Sequence, residues 1–207
     1  MLTFQNKSAI LVLILLVGFL RDALAQQDTL SKALSRRPSK FKVGFGGEYL
    51  WPVERRRDIQ TISFNALAGK EYFRKIHLSP YGGITATYAW GNILQLNDSS
   101  LQVRYENAAF GAGPVFILRF EPLVYKSFSL GGDFSTGVIF YSRNFPAGGD
   151  FYNFMWRTGP TIAWRISDNY SINAGYRWMH ISNGQGLKNR NPYYPAQGVS
   201  VNFDRYF

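Results

Sequence analysis

The 207-residue chain has no cysteine, which excludes a disulfide scaffold, a thiolate metal site, a cysteine nucleophile and a lipid anchor attached through cysteine. Charge is scarce as well: Asp, Glu, Lys and Arg make up 17% of the residues, against roughly 25% in an ordinary soluble domain. Acids are the rarer sign, 13 against 23 Lys and Arg, for a formal net charge of +10. Only one long apolar run is present, Ala9 to Leu20, and its 12 residues are too few to cross a hydrocarbon core of roughly 30 Å as a helix. With a mean hydropathy of −0.16, a polytopic helical membrane protein is excluded. What the chain has in quantity is aromatic side chains and glycine: 17 Phe, 13 Tyr, 5 Trp and 20 Gly.

The apolar run belongs to an address. Lys7 precedes it and Ala23-Leu24-Ala25 follows it as an A-x-A cleavage site, so residues 1–25 read as a secretory signal peptide. Residues 26–39 are a short polar tail. From residue 40 to 207 the dominant pattern is alternation at period two, the signature of strands with one apolar and one polar face. Leu78, Ile84, Tyr88 and Trp90 alternate with Ser79, Thr85 and Thr87; Phe154, Trp156, Ile162, Trp164 and Ile166 alternate with Asn153, Arg157, Thr161 and Arg165. Phe128, Leu130, Phe134 and Phe140 stand opposite Ser129, Asp133 and Ser135, and Val199, Val201 and Phe203 opposite Ser200, Asn202 and Asp204.

Eight strands are predicted, over about 40–52, 59–69, 76–91, 103–120, 126–142, 151–166, 169–182 and 197–207. Each can cross a bilayer as a tilted strand, which needs about 9 to 11 residues. Glu121 to Tyr125 and Ser167-Asp168 read as short links, whereas Gly91 to Gln102, Arg143 to Asp150 and Asn183 to Ala196 are longer and polar. Short turns at one end and long loops at the other fit an all-β, eight-stranded antiparallel barrel of the outer membrane, too narrow to be a porin. Arg157, Arg165 and Arg177 have inward parity and are expected to pair with interior acids such as Asp133 or Glu106.

His180 and Ser182 hold the main chemical interest. Side chains at i and i+2 of a strand share a face, so imidazole and hydroxyl lie side by side, and a serine becomes nucleophilic when a base takes its proton. Asn183 and Gly184, which follow, are candidate donors to an oxyanion. The pair shares parity with Tyr170, Ile172, Tyr176 and Trp178, the lipid-facing side, where polar groups are costly. A seventh strand running outward from a periplasmic N-terminus carries the pair to the outer leaflet.

At these residues the chain resembles the PagL-type lipid A 3-O-deacylases (acyloxyacyl hydrolases). His180-Ile181-Ser182-Asn183-Gly184, the later Asn191-Pro192 and the preceding Gly175-Tyr176-Arg177 carry the resemblance. It extends back through Gly137 to Tyr141 and Tyr152 to Phe154; the last third of the chain matches well, the first half by architecture. The resemblance implies an outer-membrane esterase that removes an ester-linked acyl chain of lipid A, with Ser182 as nucleophile, His180 as general base and no cofactor or metal. The family also implies an acid on the last strand about a dozen residues after the serine, and here no Asp or Glu occurs between Asn183 and Phe203. Gln197, and second to it Asn191, are the residues that remain to orient the imidazole by an amide.

The basic excess fits the same partner. Arg55, Arg56 and Arg57 in the first outer loop and Lys188 and Arg190 in the fourth can contact lipid A phosphates, or serve simply as solubilising loop charges. A nucleic-acid partner is poorly supported, because the basic residues are scattered over both ends of an exported chain. Two other readings stay open: a non-enzymatic barrel serving adhesion or envelope integrity, and a soluble exported binding domain. The sequence does not set the oligomeric state.

Overall fold

The computed structural model describes residues 41–70, 77–96, 102–184 and 192–207, so the signal peptide and tail lie outside the described residues. Eight antiparallel strands follow one another: β1 (Phe41–Pro52), β2 (Arg57–Lys70), β3 (Leu78–Leu96), β4 (Gln102–Tyr125), β5 (Phe128–Tyr141), β6 (Tyr152–Ser167), β7 (Tyr170–Ser182) and β8 (Tyr193–Tyr206). Each pairs with its sequence neighbours, and β8 closes on β1 from Lys42↔Tyr206 to Pro52↔Ala196. Closure leaves no free sheet edge around the wall, which a bilayer requires because it offers no water to unpaired backbone groups.

Alternation decides which way each strand faces, and the polarity is the reverse of a soluble barrel. Phe45, Phe64, Ile84 and Phe110 point outward with more than 60% of their surface exposed, and Phe134, Trp164 and Phe203 follow the same parity. Thr61, Ser63, Asn65, Thr85, Thr87 and Asn173 point inward and are buried. An outer wall of this kind is stable only against lipid.

The lumen is filled in two layers. Towards the end where β1 starts, β8 finishes and the short turns lie, charged groups meet in a bonded network. Arg119 makes a two-pronged contact to Asp133 at 2.9 and 3.0 Å and reaches Asp204 at 3.1 Å. Arg177 reaches Asp133 at 2.8 Å, and Arg157 bonds Glu48, Asn65 and Thr85. The other end is mainly apolar: Leu50, Ile59, Ala89, Ile139, Met155, Met179 and Ile181 are buried in one cluster with Tyr141 and Tyr194, whose hydroxyls bond at 2.9 Å. Phe145, from the β5–β6 loop, drops into this layer with no exposed surface, its ring 4.9 Å from that of Tyr141. Asn153 donates to the Phe145 carbonyl at 2.6 Å and fixes the stopper in place.

Several expected boundaries move. Glu121 to Tyr125 is strand rather than link, because β4 resumes pairing with β5 at Leu123↔Leu130 after a bulge, leaving Lys126-Ser127 as the turn. β3 and β4 stay paired out to Leu96↔Gln102, above the point where β4 meets β5. That extension, with its outward parity, leaves Glu106 exposed beside Asn92, so it is not an interior partner for the arginines. Arg165 is half-buried with its guanidinium 4.3 Å from the centre of the Tyr206 ring. β8 begins at Tyr193, four residues before the expected start.

Candidate active site

β7 rises from the turn at Asp168-Asn169 and delivers His180 and Ser182 to the end of the barrel that bears the long loops, both facing outward and half-buried. Register fixes their neighbours. On the β6 side His180 is opposite Trp156 and Ser182 opposite Phe154; on the β8 side they are opposite Pro195 and Tyr193. The imidazole sits between two nearly parallel rings, Trp156 at 5.8 Å and Tyr193 at 5.3 Å between centroids. Two flanking aromatics restrict how the ring can turn and shield it from solvent. No hydrogen bond joins His180 and Ser182 among the described residues.

The β1–β2 loop completes the surroundings. Val53 donates its backbone N–H to the Pro195 carbonyl at 3.5 Å, tying the loop to β8. Arg57, the first residue of β2, lies with its guanidinium 3.5 Å over the Tyr193 ring, a cation–π contact. The same guanidinium pairs with Glu54 at 2.5 Å. A continuous stack therefore runs from Trp156 through His180, Tyr193 and Arg57 to Glu54, and among the described residues the charges closest to acting on the imidazole are those of Arg57 and Glu54.

The remaining sequence-predicted residues fall as follows. Asn183, one position past Ser182, turns inward; its side chain is buried and donates to the Tyr152 carbonyl at 2.6 Å. Gly149 of the β5–β6 loop lies so close that a Cβ there would come within 2.7 Å of the Asn183 amide. The Asn183 side chain thus ties the end of β7 to the start of β6, packs closely against the β5–β6 loop, and faces away from the Ser182 hydroxyl. Gly184 takes φ +87°, the left-handed conformation that lets the chain leave the strand abruptly beside Ser182. Gln197 stands opposite Trp178 on β7 and Trp51 on β1, one outward-facing row beyond Pro195, and no hydrogen bond connects it to His180 among the described residues. Arg55 and Arg56 are exposed in the β1–β2 loop, which is pinned by the Leu94 N–H donating to the Arg56 carbonyl at 2.9 Å. Lys188, Arg190 and Asn191 lie outside the described residues.

Sequence reasoning did not single out Trp156, Tyr193 or Glu54 for the site. Trp156 carries the same outward parity as the pair and was visible to that extent. Tyr193 was hidden because strand eight was expected to begin at 197, and Glu54 because it comes from the opposite end of the chain.

A model of the family described as lipid A 3-O-deacylase (PagL) matches residues 72–194, a stretch that includes His180, Ser182 and Tyr193. The crystal structure of the outer membrane enzyme PagL is similar at 17% identity and a TM-score of 0.51, over 78% of this chain and 97% of that one. Neisserial surface protein A (NspA) is similar at 14% identity and a TM-score of 0.48, over 83% and 100%. At these identities the likeness is one of fold. No curated protein matches the chain.

Proposed function

The chain belongs to the PagL lipid A 3-O-deacylase family, and from that premise we propose that it is an outer-membrane esterase that cleaves an ester-linked acyl chain of lipid A in the outer leaflet. The observation that carries this reading is the placement of His180 and Ser182 side by side at the loop-bearing end of a lipid-facing wall, where a histidine and a serine have no structural use that an apolar residue would not serve better. From there the hydroxyl meets membrane lipid directly.

In the proposed reaction the Ser182 Oγ attacks the ester carbonyl carbon while its proton passes to the His180 ring. The negative charge gathers on the former carbonyl oxygen, where backbone N–H groups at Asn183 and Gly184 are the nearest candidates to receive it. Collapse breaks the bond to the sugar oxygen, which takes the proton from the imidazolium and leaves as an alcohol. Water then repeats the sequence on the acyl-serine: its proton goes to His180, its oxygen to the acyl carbon, and Ser182 recovers a proton as the fatty acid departs. Arg55 and Arg56, exposed beside the site, are placed to meet the lipid A phosphates, with Lys188 and Arg190 of the fourth loop joining them on sequence grounds. Residues 1–25 act as the export signal, removed by cleavage after Ala25.

The test compares lipid A from cells expressing the protein or its Ser182→Ala form by mass spectrometry. Loss of one ester-linked acyl chain with the first and not the second is expected; identical patterns in a lipid A that still carries the ester would sink the reading. One observation favours the non-enzymatic alternative: β8 faces His180 and Ser182 with Pro195 and Tyr193, neither a carboxylate. Covalent labelling of Ser182 by a serine-directed phosphonate separates the two.

A further inference from the structure

A histidine that accepts a proton from a serine becomes an imidazolium, and in a shielded, lipid-facing position that charge needs a counter-charge. The last strand supplies none. The packed face of β6 presents Phe154, Trp156 and Thr158 to His180, β8 presents Tyr193, Pro195 and Gln197, and the rest of β7 presents Trp178 and Ser182. Among the described residues, the charged groups that reach the ring come from across the seam, Arg57 at the start of β2 and Glu54 in the loop before it. Arg57 by itself would oppose protonation of the imidazole, since it is held 3.5 Å over the ring of Tyr193, which itself stacks on His180.

Resting on the esterase reading above, we infer that Glu54 is the acidic positioning residue of this site: from the β1–β2 loop it neutralises Arg57, keeps the guanidinium seated on Tyr193, and so holds the His180 ring in place while balancing the charge it acquires. The geometry behind this is continuous. Val53 is tied to Pro195, the residue opposite His180, so the loop cannot drift from the site without breaking a backbone hydrogen bond. The Arg57 N–H donates to the Glu54 carbonyl at 3.0 Å while the two side chains pair at 2.5 Å, closing a tight turn that presents both charges on the β8 side. A carboxylate from the first loop thereby takes over the work of one on the last strand. It acts through an arginine and a tyrosine and not by contact with the imidazole.

The full chain refolded in phospholipid bilayers provides the test. It holds two histidines, so a His77→Gln background leaves one imidazole to follow by nitrogen NMR as pH is varied. Glu54→Gln should move the His180 titration to lower pH by about one unit relative to the same background, because an uncompensated Arg57 then faces the ring. It should also lower kcat on lipid A about tenfold with KM little changed. The double variant Glu54→Gln with Arg57→Met removes both charges and should bring the titration back towards its starting point, an outcome that a purely structural role for the pair does not predict. A His180 titration that stays in place in Glu54→Gln overturns the inference, whatever the activity. A titration that moves as stated in a protein whose lipid A pattern equals that of Ser182→Ala leaves the charge coupling standing and overturns the esterase reading instead.

Discussion

The lumen and the outer wall treat polar side chains in opposite ways. Inside, Arg119, Arg157 and Arg177 are removed from water and matched to Asp133, Asp204 and Glu48 by short, directed bonds. Outside, His180 and Ser182 are only half-buried, hemmed in by aromatic rings, and their nearest charges stand one ring away. A group whose hydrogen bonds are filled is held but inert. A group on the wall with capacity left over is available for chemistry. The comparison teaches that the same barrel separates polar groups with filled hydrogen bonds from polar groups that keep bonding capacity by strand parity.

The sharpest way to break that contrast is to remove one member of the interior network. Arg157→Met strips Glu48 of its closest partner and leaves it, among the described residues, only the Arg177 guanidinium at 3.6 Å, and should cost about 3 kcal/mol, read as a lower urea midpoint for the refolded barrel. Phe145→Ala empties the apolar layer and should cost about 3 kcal/mol, with the site's chemistry retained in the fraction that stays folded. Ser182→Ala belongs to the other side of the contrast. It should change stability by no more than about 0.5 kcal/mol while abolishing deacylation, and a loss of more than about 2 kcal/mol would mean that the wall site is part of the scaffold. The smallest effect is expected from Arg55→Ala with Arg56→Ala: a KM for lipid A raised a few-fold at low salt, kcat unchanged, and the difference fading as ionic strength rises.

Most of the fold was legible because a barrel in lipid writes its topology into a local signal. Phe128, Leu130 and Phe134 against Asp133 and Ser135 announce both a strand and its orientation, without reference to any other part of the chain. What escaped was set by distant partners. Pro195 reads as a loop residue, yet its carbonyl turns towards Val53, on the side where β1 has already ended at Pro52. The N–H that proline lacks would point to that same side, so no ladder bond is lost and β8 can extend to Tyr193. Glu106 lay on the outward parity of Phe110, and only the length of the β3–β4 pairing put it clear of the barrel. The His180–Ser182 pair was readable from spacing. Its surroundings were not, because Tyr193, Arg57 and Glu54 reach it across the β8–β1 seam, and no one-dimensional pattern connects residue 54 to residue 180.

That seam carries a consequence for biogenesis. The stack beside His180 draws on the beginning of the chain and on its final strand, so a partly inserted polypeptide, however many strands it has threaded, lacks half of it. Glu54 and Arg57 wait on one edge of the unfinished sheet while Tyr193 waits on the other. Only when the edges meet does Arg57 come to rest on Tyr193 beside His180, so the surroundings of this histidine are the last part of the wall to be put together.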